Sequence, residues 1–414
     1  MRSLYICYYP LTEPLVQTQV VAYLEGLAQN GHSIHLLSFE TEPLTVAQKR
    51  RIRADLRARG IIWHYLKYHK RPSLPATVYD VMCGVLKGLR LIRRHRIDVI
   101  HARAHVPATM GLILKKLTGV GLIFDIRGLM AQEYIDIGNW AAGSLPVRLT
   151  QKMQDLCIEN ADGIVVLTER AKKLLFGPDS AYNGTPPAPL QVIPCCADLT
   201  QIEAQENERA SIRQQLGLTD KTVMIYVGKF GGWYLQAEMV DFFAKAREQM
   251  PNLHFLVLSQ SERELITQEF ERVGLSEEHF TLMQVEPARV GAYLWAADFS
   301  LSFIRALPSK VASSPTKIGE YLAAGLPLIC NTGVGDMDVI VESHQVGVSL
   351  DEFTSENYEH AAAAIAPMIG DDEIKHRCQR AARAHASLQE VGVPRYCALY
   401  EQVARNRDGK AKAT

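Results

Sequence analysis

The chain is 414 residues long, with 47% hydrophobic and 22% charged residues and 45 basic side chains balancing 45 acidic ones. That length suits two domains of ordinary size or three small ones, and the composition is that of a soluble globular protein. No apolar run is long enough to span a bilayer, and the amino terminus lacks the small-residue cleavage site of a secretory signal, so a cytoplasmic protein with reduced thiols is expected.

In chain order, short apolar runs at 4–8, 33–39, 61–65, 99–102, 122–126, 164–167 and 190–193 predict strands, and amphipathic stretches at 17–30, 77–94, 107–118 and 148–159 predict helices between them. The pattern then restarts, with strands at 223–227, 254–259, 280–283, 299–303, 328–331 and 347–348 and helices at 235–249, 262–271, 290–297 and 316–324. Alternation of this kind defines an α/β fold with parallel sheets, and two such blocks predict two Rossmann-like domains facing across a cleft. Charge marks the boundary. Residues 1–200 carry 24 basic and 16 acidic side chains, whereas 201–414 carry 21 and 29. The expected division is an N-terminal domain at 1–200, a C-terminal domain at 201–385, and a last helix at 386–414 returning towards the first domain and ending in a frayed basic tail.

Most of the basic excess lies at 49–96, where 14 basic residues meet two acidic ones, Asp55 and Asp80. On the second helix of that stretch Val81, Val85, Leu89 and Ile92 form an apolar stripe, beside Lys87, Arg90, Arg93, Arg94 and Arg96. Such a helix suits an anionic membrane surface as well as a solvated face, and a peripheral association is expected as one of the two. Nucleic acid is not a predicted partner, since no nucleic-acid module accompanies the charge. The eight cysteines include no C-x-x-C pair, and no His/Cys spacing suits zinc.

The densest chemistry is at 313–327. Ser313, Ser314, Pro315, Thr316 and Lys317 precede a helical run that closes with Gly325. N–H groups at a helix start favour an anion, and Lys317 adds a charge. Glu320, one turn on, can accept from the hydroxyls of a ribose. Together they predict a nucleoside-diphosphate site. Gly228, Lys229, Gly231 and Gly232 follow the first strand of the second block, where backbone can approach a phosphate. Gly335 lies in a further glycine loop. Asp336 and Asp338 imitate a D-x-D metal motif but stand where a helix cap is expected, so no metal is predicted. In the first block His101, Arg103 and His105 alternate at a strand end and should share one face.

The order and spacing of these segments resemble the GT-B glycosyltransferases of family 4, over about residues 1 to 405. Residues 313–327 are similar to the helix bearing the second glutamate of that family's E-x7-E signature, and Val192, Ile193, Pro194, Ala197 and Asp198 are similar to its interdomain linker. The resemblance implies that Glu320 binds the donor ribose. The first glutamate would stand at Ala312 and is absent. It further implies a retaining, metal-independent transfer from a nucleoside-diphosphate sugar, with no cofactor, to a glycan, lipid-linked or small-molecule acceptor. Arg127, Lys229, Lys317 and Glu320 are then the catalytic candidates. Gly228, Ser314, Thr316, Gly335 and Glu286, the last in a loop near the donor base, join Lys229, Lys317 and Glu320 around the donor. His101, Arg103, His105 and Gln17 fall on the acceptor side. A sugar-nucleotide epimerase on the same fold, or a non-catalytic nucleotide-binding partner of polysaccharide assembly, stay open as alternatives.

Overall fold

Thirteen strands form two parallel sheets in the computed structural model, which describes residues 1–413. The first sheet contains β1 (Arg2–Cys7), β2 (Ser33–Glu40), β3 (Ile61–Lys67), β4 (Val99–Arg103), β5 (Gly121–Asp125), β6 (Gly163–Val166) and β7 (Leu190–Val192) in the order 3-2-1-4-5-6-7. The second contains β8 (Thr222–Val227), β9 (Leu253–Leu258), β10 (Phe280–Met283), β11 (Phe299–Ser302), β12 (Leu328–Asn331) and β13 (Gly347–Leu350) in the order 10-9-8-11-12-13. All thirteen predicted runs are strands. Central strands of a parallel sheet are covered on both faces, so they read as unbroken apolar stretches. Gly163-Ile164-Val165-Val166 is buried throughout, as is β9.

The chain divides into two units: Met1–Pro194 together with the residues from Gly392 on, and Cys195–Val391. Within the first, the helix Val393–Ala413 returns to the sheet, with Tyr396, Leu399, Tyr400 and Val403 buried. Arg407 on that helix donates to the Asp98 carbonyl at 2.7 Å. The segment predicted as a frayed tail is therefore helical as far as Ala413, and Thr414 lies outside the described residues.

In the second unit, one face of the sheet packs a phenylalanine-rich layer that includes Phe242, Phe243, Phe255, Phe270 and Phe303. The other face packs the helix Thr316–Ala323 with Leu322, Trp295 and Cys378. Gly319 on that helix stands where any side chain would meet the Ala386 methyl, which lets the helix Asp372–Ala386 pack closely against it.

The helix Ser73–His95 turns its predicted stripe inward, with Val81 and Leu89 half-buried, and carries a second apolar face that the sequence reading did not single out. Val85 and Ile92 of the predicted stripe are buried, and Gly84 and Gly88 lie against Met110 and Leu114 of the helix His105–Thr118. A second apolar stripe, Leu74, Val78, Tyr79, Met82 and Leu86, is exposed. All eight cysteines are free thiols.

Candidate functional site

In both sheets the strand order reverses beside the first strand of the unit, between β1 and β4 and between β8 and β11. Loops diverge at such a point and leave a crevice at the carboxyl ends of the strands, where ligands of open α/β sheets bind.

In the second unit the loop after β8 is held open by glycine. Gly228, Gly231 and Gly232 have φ of +135°, +93° and +70°, values that side-chain-bearing residues rarely adopt. The loop is pinned at both ends. The Tyr226 hydroxyl donates to the Lys229 carbonyl at 2.6 Å, and the Arg305 N–H donates to the Trp233 carbonyl at 2.8 Å. The helix Thr316–Ala323 is tied to the same strand end, because the Val227 N–H donates to the Tyr321 hydroxyl at 2.7 Å.

Lys317 is the centre of this arrangement. Its residue is 9% exposed, and its Nζ has no hydrogen-bond partner. The ammonium lies 4.0 Å from the Tyr234 ring centre and 4.3 Å from that of Tyr226, a cation held by two aromatic faces. A Cβ on Gly228 would stand 2.8 Å from Nζ, so the glycine supplies the room the ammonium occupies. Burial pushes the Lys317 amine down to about 7, with the nearby Glu320 carboxylate pulling the other way. Glu320 is half-buried, and the same desolvation pushes its carboxyl up, partly offset by Lys317. An incoming dianion would restore full charge to the lysine.

The other predicted donor residues spread more widely. Ser314 accepts the Cys195 N–H at 3.0 Å, which commits its hydroxyl oxygen to the start of the unit. Thr316 opens the helix without a side-chain cap from Pro315, leaving first-turn N–H groups uncapped. Lys229 is exposed, and only its carbonyl is engaged at the loop. Gly335 donates its N–H to the Lys310 carbonyl at 2.8 Å, so that donor is already committed. Asp336 precedes the helix Met337–His344, and Asp338 is buried in its first turn. Glu286 is exposed, two residues beyond an open recess of about 330 Å³ lined by Ser259, Gln260, Ser261, Met283 and Gln284 at the ends of β9 and β10. Ser261 joins this recess to the glycine loop, accepting the Phe230 N–H at 2.9 Å.

One residue escaped sequence reasoning. Lys310 is buried, with Nζ 3.7 Å from the Trp233 ring centre, and so brings a second cation to the glycine loop. A lysine in the loop after β11, on the far side of the switch point from the glycines, was the signal available.

In the first unit the cluster centres on Asp125, which is fully buried at the end of β5. His101 Nε2 lies 3.6 Å, Arg103 Nη1 3.8 Å and Arg127 Nη1 3.5 Å from its carboxylate, and the Tyr396 hydroxyl donates to it at 2.9 Å. Arg127 and these neighbours hold the Asp125 carboxyl well below the usual carboxylate range against its burial. His101 is buried beside Tyr5, with Nδ1 2.9 Å from the Tyr400 hydroxyl, and burial lowers its pKa. His105 does not share this face. The strand ends at Arg103, Ala104 turns at φ +66°, and His105 begins the next helix with Nε2 2.8 Å from Gln154 Oε1. Gln17 donates to the Leu11 carbonyl at 2.5 Å, whereas the neighbouring Gln19 carbonyl accepts from Arg103 at 3.3 Å.

Comparison with known proteins identifies the family and the fold over most of the chain. The sequence profile of Glycosyltransferase Family 4 matches residues 16–201, and that of Glycosyl transferases group 1 matches residues 208–385. No curated protein sequence matches the chain. A glycosyltransferase from Rickettsia africae superposes with a TM-score of 0.73 at 11% identity, covering 98% of this chain and 99% of its own. HepE of Anabaena, solved in complex with UDP, gives 0.69 at 15% identity over 99% and 100%. A sucrose-phosphate synthase from Thermosynechococcus elongatus gives 0.67 at 15% identity over 100% of both chains. At these identities the structures establish a shared fold. The fold and the two matching profiles define a GT-B glycosyltransferase. The chain belongs to glycosyltransferase family 4, whose donors are nucleoside-diphosphate sugars.

Proposed function

We propose that the second unit binds the donor through Lys317 and that the enzyme transfers the sugar, with retention and without a metal ion, to a hydroxyl of a glycan, lipid-linked or small-molecule acceptor. The observation that carries this reading is the buried Lys317 ammonium, which has no hydrogen-bond partner beside a glycine loop at the carboxyl end of β8. A buried cation with no hydrogen-bonded counter-ion is costly unless a ligand supplies one. When the bond between the sugar and the diphosphate breaks, negative charge grows on the departing oxygen. Lys317, the first-turn N–H groups at Thr316 and the glycine-loop backbone receive it in this reading. Glu320 accepts from the ribose hydroxyls, and the recess at Ser259–Gln284 takes the base. HepE, which shares the fold, was solved with UDP and with UDP-glucose, which favours a uridine nucleotide here.

On the acceptor side, Arg103 and Arg127 around Asp125 give the first unit its polar floor, with Arg127 the candidate for an anionic group. The exposed stripe Leu74, Val78, Tyr79, Met82 and Leu86 lies on the helix whose last turns carry exposed Arg90, Arg93 and Arg94. Apolar and cationic groups on one helix suit the interface of an anionic membrane, which supports a lipid-linked acceptor. Among the described residues no helix is long and apolar enough to cross a membrane, so contact would be peripheral.

Titration calorimetry with UDP, GDP and dTDP, followed by turnover assays with the matching nucleotide sugars, tests the donor reading. Binding of one nucleotide that is lost in Lys317→Met supports it. Absence of both nucleotide binding and donor turnover overturns it.

A further inference from the structure

Three histidines far apart in sequence meet at the amino-terminal end of the first sheet. His35 lies near the start of β2, His64 is on β3, and His95 is the last residue of the helix Ser73–His95. In the parallel register His35 pairs with Ile62 and Leu37 with His64, so the two imidazoles rise from the same face of adjacent strands. His35 Nδ1 and His64 Nε2 are 3.1 Å apart, and their ring planes lie within 2° of each other. The His95 ring centre lies 4.3 Å from that of His35 and 5.8 Å from that of His64. One nitrogen from each ring falls within 4.8 Å of the other two.

Two nitrogens of a tetrahedral zinc site, each about 2.0–2.1 Å from the ion, are separated by about 3.3 Å. The His35–His64 pair is already close to that spacing, held by a shared proton that an ion can replace. His95, at the end of its helix, supplies the third nitrogen, within 4.8 Å of the other two. Two ligands stand on hydrogen-bonded strands, so their separation is fixed by the fold before any ion arrives. His35 is buried, while His64 and His95 are half-buried, which leaves a route of entry. In the His35–His64 pair one ring donates to the other, so metal binding requires the donating ring to carry its proton on its other nitrogen. Lys87 and Arg53 face His64 and disfavour extra positive charge, so an ion must compensate through direct nitrogen bonds.

We propose that His35, His64 and His95 form a three-histidine site for a divalent cation of the zinc class. Neutral imidazoles select Zn(II), Ni(II), Cu(II) or Co(II) over Mg(II) and Ca(II), which take oxygen ligands. Three protein ligands leave a fourth position for water. The switch-point crevices open at the carboxyl ends of the strands, whereas this cluster lies at the opposite end of its sheet. Its role is therefore structural: an ion here ties the edge strand β3 and its neighbour β2 to the end of the helix that carries the exposed apolar stripe.

The test is titration of the chelator-treated full-length protein with Co(II), followed by visible absorption, and with Zn(II), followed by thermal unfolding. One equivalent of Co(II) should produce the intense absorption of a low-coordinate site, and Zn(II) should raise the unfolding midpoint. His95→Ala, at a half-exposed helix end, and His64→Gln should each weaken binding by more than the roughly 10–100-fold lost with an outer-shell partner. His344→Ala, which breaks the separate His344–His385 pair, should leave binding unchanged. Absence of the cobalt band, or full binding retained in the His64→Gln/His95→Ala double variant, overturns the proposal.

Discussion

The Lys317 ammonium sits 4.0 Å from the centre of the Tyr234 ring and donates to no acceptor. In the free enzyme this is a stability cost. The amine titrates near 7 in the folded chain but above 10 when unfolded, so between those values the unfolded state binds more protons and native stability rises with pH. The penalty is fully present below pH 7 and is relieved as pH climbs towards 10. Lys317→Met keeps the length and the aromatic contacts while removing the charge. It should stabilise the free protein by about 1–4 kcal/mol at pH 6 and by little at pH 10. Denaturant unfolding at the two pH values checks this.

The same group sets how nucleotide affinity responds to pH. A bound diphosphate raises the lysine pKa, so binding takes up a proton whenever the free amine is neutral. Above pH 7 affinity should fall by up to about tenfold per pH unit, until the bound-state pKa is reached. Calorimetry in buffers of different ionisation heat should show proton uptake at pH 8. Lys317→Met should bind weakly at every pH, with no slope in this range.

Gly228 is the glycine whose missing side chain makes room for the Lys317 amine. Its φ of +135° strains any other residue, and a methyl there would press on the Lys317 amine at 2.8 Å. Gly228→Ala should cost about 1–3 kcal/mol of stability and weaken nucleotide binding in the same variant. Gly217→Ala, also at positive φ but with open space around it, is the control that should lose stability alone.

Asp125 gathers His101, Arg103, Arg127 and the Tyr396 hydroxyl around one buried carboxylate. Asp125→Asn leaves two arginines without their counter-charge and should destabilise the protein by about 3–5 kcal/mol. Because the folded carboxyl is held below its unfolded value, its stabilisation is complete above the ordinary carboxylate range and is lost as pH falls below that range. The variant should therefore show a flatter acid limb in its unfolding midpoint.

The strands were legible because a doubly covered parallel strand writes its burial as a local run, as in β6 and β9. Lys317 and Glu320 were legible because a helix start carries its chemistry in consecutive residues. What stayed hidden depends on pairing across the fold. Asp125 looks like one more strand-end acid until Tyr396, 271 residues away, is seen bonded to it. His35, His64 and His95 are spaced like no local metal motif, and only the register of β2 with β3 joins the first two. The exposed stripe of the helix Ser73–His95 was missed for the converse reason. Both its faces carry apolar residues, and only packing through Gly84 and Gly88 decides which face turns inward.

That stripe leads to the last prediction. Leu74 is 73% exposed and Met82 60%, whereas side chains of this kind are normally withdrawn from water. If the stripe enters a lipid interface, its apolar groups and the arginines beyond it should act together. Each basic residue near an anionic surface contributes about 1 kcal/mol, and this part is screened by salt. Vesicles containing phosphatidylglycerol should sediment the protein, and pure phosphatidylcholine vesicles should do so far less. Arg90→Glu/Arg93→Glu should weaken binding by about tenfold or more and reduce its salt dependence. Leu74→Ser/Met82→Ser/Leu86→Ser should weaken it while leaving the salt dependence in place, since those residues contribute by area rather than by charge. Both variants should keep UDP affinity, because every residue assigned to the donor lies in the second unit. Equal binding to anionic and neutral vesicles, or none to either, would show that the stripe serves something other than a membrane.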